Sequence, residues 1–196
     1  MRRLSLDVRV SLPRYPSIDL APTTLRTRRS LTVRRGSDPM PASLYRRTLR
    51  SAPFLLIDGE PVARDRAVYG GGRPEGEKFI FWCLGALQAC RSTGWTPDVV
   101  HAHDWHAAAA VAWLSEARQG DPFWKDASSV FTIHNLGYAG ADAQEAWRDF
   151  GLPEAIGPHV PEWARPLPLA SGLSRADAVT TVSPTYADEI QRPEYG

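Results

Sequence analysis

Residues 97–118 read "PDVVHAHDWHAAAAVAWLSEAR" and contain a predicted strand followed directly by a predicted helix. The first part, 97–102, is short, apolar and β-branched, and it begins with a proline, as is typical of a buried strand. The second part, 105–118, is rich in alanine and has a high helix propensity. A buried strand that leads straight into a helix is the unit from which parallel α/β sheets are built.

The same unit recurs on both sides of this stretch. Further strands are predicted at 8–12, 53–58, 128–133 and 177–183, and further helices at 77–90, 168–176 and 183–191. This alternation predicts an α/β fold with a doubly wound, mostly parallel sheet. Two stretches interrupt it: residues 16–50 resemble an inserted loop or hairpin, and residues 138–167 resemble a long excursion.

Length and composition restrict the class of protein. The chain has 196 residues, of which 43% are hydrophobic, which suits one α/β domain or one lobe of a two-lobed protein. No apolar run approaches the roughly 18–20 residues that span a bilayer, and no apolar segment follows the first arginines. Cys83 and Cys90 lie seven residues apart in a predicted helix and are expected to be buried thiols rather than a disulfide. We therefore expect a cytoplasmic protein with no membrane partner.

Charge is unevenly distributed along the chain. Residues 1–50 hold 12 arginines and three aspartates, whereas the remainder carries the compensating negative charge, so that the formal net charge is +1. A basic segment can bind nucleic acid, but this one lacks the interleaved aromatic residues that stack on bases. Of 23 basic residues, 21 are arginine, which indicates a general preference for arginine. We expect no nucleic-acid partner.

Polar residues stand at the end of each predicted strand. The strands end at Asp58, at His103 and Asp104, at His134 and Asn135, and at Ser183. Ligands of open parallel sheets bind outside the carboxyl ends of the strands, so these residues are expected to converge on one site. A His-Asn pair in such a place can form hydrogen bonds with a hydroxylated or anionic ligand.

The segment "HAHDWH" at 101–106 allows more than one interpretation. His101 and His103 are two residues apart and therefore face the same side of the sheet, whereas His106 lies in the first turn of the next helix. Buried, hydrogen-bonded roles are expected for His101 and His106, and Asp104 is expected to cap that helix. For His103 and Asp104, a structural role and a ligand-facing role both remain open.

A zinc site would need three or four ligands that converge on one point. The histidines of 101–106 are expected to point in different directions, so we expect no metal. Ser183 begins a helix with Pro184 in its first position; such a helix start either binds an anion or caps itself. The sequence has no glycine-rich phosphate loop and no Gly-x-Ser-x-Gly nucleophile elbow.

Several longer strings carry a family resemblance. The strings "PDVVHAHDWHAAAAVAWL", "VFTIHNLGYAG", "FGLP" and "ADAVTTVSPTYADEIQRPEYG" occur in order and resemble the N-terminal domain of bacterial glycogen synthases and starch synthases. These are retaining glycosyltransferases of family five with the GT-B fold. The resemblance extends over about residues 5–196.

The resemblance implies one Rossmann-like lobe of a two-lobed enzyme. In that family the N-terminal lobe contacts the α-1,4-glucan acceptor and the C-terminal lobe holds most of the ADP-glucose donor (UDP-glucose in some members). Glucose is transferred to the 4-OH at the non-reducing end with retention, without a metal or other cofactor. By resemblance His134 and Asp104 are catalytic-site residues, and Tyr69 belongs to the glucan site; His103, Asn135 and Ser183 are expected to contact substrate.

The sequence also departs from the family pattern. The family begins with a strand and a Lys-x-Gly-Gly-Leu segment, which is expected before residue 8, and its Asn and Lys in a later motif are Leu167 and Ala170 here. We therefore expect residues 1–196 to be a single partial domain without that first strand and without the C-terminal lobe, and to be inactive alone. Two alternatives remain open: a non-catalytic glucan-binding or scaffold module, and a metal-dependent hydrolase.

Overall fold

The structure is a computed structural model and describes residues 4–18, 28–49, 52–65 and 67–192. Its strands are β1 Val10–Pro13, β2 Arg28–Arg35, β3 Asp38–Leu49, β4 Ala52–Gly59, β5 Val99–His103, β6 Ser128–Ile133 and β7 Ala178–Thr181. Its α-helices are α1 Glu60–Arg64, α2 Gly72–Ser92, α3 Asp104–Ala117, α4 Gln144–Asp149, α5 Pro168–Arg175 and α6 Pro184–Glu189, with short 3₁₀ turns at Ala141–Ala143 and Glu162–Ala164.

The first four strands form an N-terminal sheet in the order β1-β4-β3-β2. β1 and β4 pair in parallel, with Leu12 opposite Leu56, whereas β2 and β3 form an antiparallel hairpin closed at residues 36–37. The predicted hairpin within residues 16–50 is therefore confirmed for the strands, and residues 19–27 and 50 of that stretch lie outside the described residues.

The last three strands form a C-terminal sheet in the order β5-β6-β7, and all of them are parallel. α3 connects β5 to β6 and packs on both strands, and α5 precedes β7 and packs on α3. The β-strand-to-helix unit predicted at 97–118 is confirmed, with the strand at 99–103 and the helix at 104–117. Residues 138–167 form the predicted excursion, which contains α4 and the two 3₁₀ turns.

α2 connects the two sheets. It packs on the N-terminal sheet and on α3, and Phe81, Ala89 and Cys83 along it are almost completely buried. The α/β class with parallel strand pairing is confirmed, but the described strands form two sheets rather than the single doubly wound sheet that was predicted. Within the described part of the chain, no helix is both long and apolar enough to cross a membrane.

Candidate functional site

Asp104 joins the ends of β5 and β6. Its backbone has a φ of 55°, a left-handed conformation that residues other than glycine seldom adopt. Its Oδ1 atom accepts the backbone N–H groups of His134 (2.7 Å) and Asn135 (3.2 Å) directly after β6. The predicted helix cap is wrong: α3 begins at Asp104 itself, and no described side chain caps its first turn. The carboxylate instead fixes the chain where β6 leads into the next loop.

Three histidine rings form a row beside Asp104. His103 Nδ1 lies 2.9 Å from His134 Nε2, and the His101 ring stacks on the His103 ring with centroids 4.4 Å apart. The prediction that His101 and His103 share one side of the sheet is confirmed. The prediction that His101 is buried is wrong, because α3 packs on the opposite face of β5, where Ala102 is buried.

A cavity of about 710 Å³ adjoins Asp104, which is one of its lining residues. Aromatic rings and carboxylates make up most of its functional lining: Tyr69, Trp105, His106 and Tyr138, with Glu75, Asp104 and Asp142. Asn135, four glycines and two alanines complete the wall, and none of the described lining residues is Lys or Arg. Gly140 is required there, because it has a φ of +78° and a Cβ atom would lie 2.7 Å from the Trp105 ring.

Three of the aromatic residues that line the cavity pack against one another and against Phe79. His106 packs against Phe79, Trp105 and Tyr69, with ring centroids 4.6, 4.3 and 5.4 Å away. Burial is the main cause that lowers the pKa of His106, and the carboxylates of Asp104 and Glu75 partly oppose it. His106 is therefore uncharged near neutral pH and contributes an aromatic surface to the cavity.

A buried lysine holds the loop that carries Tyr69. Lys78 is completely buried, and its Nζ atom donates to the Asp65 carboxylate (2.7 Å) and to the carbonyl oxygens of Ala67 (2.7 Å) and Val68 (3.1 Å). Tyr69 follows directly and is 72% exposed in the cavity mouth. Sequence reasoning missed Lys78, although it is one of only two lysines in an arginine-rich chain.

Ser183 and Tyr186 lie at the start of α6, shortly after β7. The Ser183 hydroxyl accepts the backbone N–H of Tyr186 at 3.1 Å, so this helix start caps itself. The Tyr186 hydroxyl in turn accepts the N–H of Leu136 at 2.9 Å and so anchors the loop after β6. Sequence reasoning missed Tyr186, because its partner is 50 residues away in the chain.

The predicted site residues fall into three places. His103, Asp104, His134 and Asn135 meet at the ends of β5 and β6, and Tyr69 faces the same cavity as Asp104 and Asn135. His103, His134 and Ser183 are outside the described cavity lining, and Asp58 pairs with Arg14 at 2.5 Å at the end of β4. Within the described residues, no group of three or more His, Cys, Asp or Glu side chains is placed to hold a metal ion.

Comparison with known proteins identifies the family. All of residues 1–196 match the sequence profile of the starch synthase catalytic domain, a glycosyltransferase family. The chain belongs to the starch synthase catalytic domain family. The family resemblance predicted from the sequence is thereby confirmed.

Relatives of this starch synthase-type domain are considerably longer than the chain. The glycogen synthase of Treponema denticola is 36% identical over 199 residues, which cover 97% of this chain and 40% of that protein. Glycogen synthase 2 of Geobacter sulfurreducens is 35% identical over 208 residues, which cover 100% of this chain and 42% of that protein. The chain thus spans about two fifths of the length of these relatives.

A solved structure shares the fold of this starch synthase-type domain. The catalytic domain of starch synthase IV from Arabidopsis thaliana, bound to ADP and acarbose, superposes with a TM-score of 0.77 at 23% identity. The match covers 100% of this chain and 41% of that chain. The roles assigned to His134, Asp104, Tyr69, His103, Asn135 and Ser183 in substrate binding and catalysis stay predictions.

Proposed function

We propose that this starch synthase-type domain is the acceptor-side lobe of a retaining glucosyltransferase. The complete enzyme transfers glucose from ADP-glucose to the 4-OH at the non-reducing end of an α-1,4-glucan. In this proposal residues 1–196 are one partial domain, and a second lobe binds most of the nucleotide sugar. Family membership supports the reaction, and the ADP and acarbose bound to the Arabidopsis relative support the two ligand classes.

The lining of the cavity is the observation that carries the proposal. Tyr69 and Tyr138 are 72% and 67% exposed at its mouth, where their rings offer flat surfaces to the apolar faces of a sugar. Carboxylates are strong acceptors for hydroxyl donors, and three of them face the cavity. Because no described lining residue is cationic, the cavity suits an uncharged glucan and disfavours the phosphates of a nucleotide.

Asp104 lines the cavity, and His134 stands next to it at the end of β6, with its backbone N–H bound to the Asp104 carboxylate. In glucosyl transfer the bond from C1 to the diphosphate oxygen breaks, the acceptor O4 bonds to C1, and the O4 proton leaves with ADP. Positive charge develops on the sugar ring meanwhile, and fixed dipoles near the ring stabilise it. His134 is held at its backbone by Asp104 and at its ring by His103, which makes it a rigid group beside that charge.

Binding of maltoheptaose to the chain tests the proposal directly. We expect calorimetry to detect binding, and Tyr69→Ala and Tyr138→Ala each to weaken it about three- to tenfold, because an aromatic contact contributes roughly 0.5–1.5 kcal/mol. Trp163→Ala is the matched control, because Trp163 is 70% exposed but lies outside the cavity lining. Equal effects of all three variants would contradict glucan binding in this cavity.

A glucan-binding module without transferase chemistry is the second candidate. The absence of cationic residues from the described cavity lining favours it for the isolated chain, since a diphosphate has no partner there. The two candidates differ once the chain is joined to the C-terminal part of the Treponema denticola glycogen synthase. Transfer of labelled glucose from ADP-glucose to glycogen by this chimera supports the transferase lobe, and binding without transfer supports the module.

A further inference from the structure

The side chains of His103 and His134 are joined by a direct contact between ring nitrogens. Nδ1 of His103 lies 2.9 Å from Nε2 of His134. In a hydrogen bond of this kind one nitrogen carries the proton and the other accepts it, so the tautomers of the two rings are linked. Two protonated rings cannot share the bond, because both nitrogens would then be donors.

The position of the His103 ring is fixed from its own side. His103 lies in β5 opposite Thr132 of β6, and its ring stacks on the His101 ring at an interplanar angle of 24°. His101 Nε2 lies 2.6 Å from Thr132 Oγ1, which lies 2.7 Å from Thr180 Oγ1 of β7. A row of polar contacts across three strands therefore supports the ring that contacts His134.

We propose that His103 is a positioning residue that fixes the ring orientation and the tautomer of His134. The Asp104 carboxylate fixes the backbone of His134, and His103 fixes its ring, so neither end of this residue is free to reorient. The inference rests on the proposed function only for its use in catalysis, in which a His134 ring of fixed orientation and tautomer acts beside the sugar.

The surroundings of His103 favour its uncharged form. Burial is the main cause that lowers the pKa of His103; His101 and His134 lower it further, and only the Asp104 carboxylate acts in the opposite direction. Near neutral pH His103 therefore brings no positive charge to the pair. This suits a site in which positive charge develops on a sugar, since a neighbouring cation would oppose it.

Nitrogen NMR of the chain with labelled histidine rings tests the inference without any ligand. The chain has five histidines, whose ring nitrogen shifts distinguish the two neutral tautomers and the protonated form. We expect His134 to occupy one tautomer above pH 7 and to become a mixture of two in His103→Phe, which keeps a ring but lacks nitrogen.

His159→Phe is the control, because His159 is exposed and takes no part in the row of contacts that supports His103. It should leave the ring shifts of His134 unchanged. Retention of the His134 backbone amide shift in each variant shows that the bond to Asp104 and the local fold persist. Identical His134 ring shifts in His103→Phe and the unaltered chain would overturn the inference. Failure of maltoheptaose to bind would instead overturn the proposed function and leave this inference intact.

Discussion

At the scale of the residue, Asp104 combines a side-chain role with a backbone role. Its carboxylate accepts two backbone N–H groups, and its left-handed backbone permits the sharp change from β5 to α3. The sequence predicted that Asp104 belongs to the site but assigned its carboxylate to the wrong partner. That partner is 30 residues away in the chain and becomes a neighbour only when β5 pairs with β6.

Three substitutions separate the two roles of Asp104. Asp104→Ala should lower the free energy of unfolding by about 2–3 kcal/mol. The acceptor for two N–H groups is lost, and alanine keeps a Cβ atom in the left-handed region without a polar side chain that could compensate for the strain. Asp104→Gly should lose about 1 kcal/mol less, because glycine adopts that backbone freely. Asp104→Asn, which keeps one acceptor oxygen, should cost about 1 kcal/mol. Urea unfolding measures all three, and equal midpoints for Ala and Gly would show that the backbone conformation is not costly.

His134 provides the catalytic prediction at this scale. In the chimera with the Treponema denticola C-terminal part, His134→Ala should lower kcat about 10²–10³-fold and change the affinity for glucan little, because a contact made with developing charge stabilises mainly the transition state. His159→Ala is the control, since His159 is exposed and takes no part in the row of histidine rings that includes His134. Steady-state kinetics with separate binding measurements decide the question; an unchanged kcat with weaker glucan binding would make His134 an acceptor contact.

At the scale of the element, α2 connects the core to the cavity. Its apolar residues were predicted as a helix over 77–90, and the helix in fact begins at Gly72, so that its first turn brings Glu75 into the cavity wall. Glu75 accepts the N–H of Gly71 at 2.6 Å, and Lys78 one turn later holds the loop before Tyr69. The periodicity of apolar residues could not reveal this first turn, because its role is polar.

Lys78→Met tests whether this helix holds the loop. Removal of one partner from a buried ion pair typically costs about 3–5 kcal/mol, and Asp65 would be left unpaired at 11% side-chain exposure. We expect such a loss in urea unfolding together with weaker maltoheptaose binding. Lys125→Met is the matched control, because the side chain of this other lysine is 65% exposed and its loss should cost less than about 0.5 kcal/mol. A difference below 1 kcal/mol between the two variants would contradict the anchoring role.

At the scale of the whole molecule, the two sheets are connected through packed helices rather than through paired strands. The described strands of the two sheets do not pair with each other, whereas α2 packs on the N-terminal sheet and on α3. Cys83 on α2 donates to the carbonyl oxygen of His106 in α3 at 3.3 Å, and Cys90 lies near Arg9, which precedes β1. The two thiols, seven residues and about two turns apart, therefore report on two positions along the same side of α2.

Thiol labelling shows whether the N-terminal sheet and the C-terminal sheet, each with the helices packed on it, separate from α2 together. Burial raises the pKa of Cys83 to about 12 and that of Cys90 to about 11, so neither thiol reacts appreciably with iodoacetamide at pH 8 while the fold is closed. We expect both to be alkylated at the same slow rate, set by cooperative opening, as measured by mass spectrometry of the two peptides. Much faster alkylation of Cys90 would show that the N-terminal half opens independently.

The sequence by itself determined the strands and helices of 97–133, the free buried cysteines, the family and the cluster of polar residues at the strand ends. The family follows from the resemblance of its sequence motifs. The other features follow from local propensity, from the periodicity of apolar residues and from the geometry of parallel strands. Only the tertiary structure decided the division into two sheets, the partners of Asp104, the contact between His103 and His134, and the anchoring roles of Lys78 and Tyr186. Most of these features depend on contacts between residues that are about 30 or more positions apart in the chain. The anchoring by Lys78 depends on a loop that folds back over α2. All of these contacts form only when strands pair and helices pack.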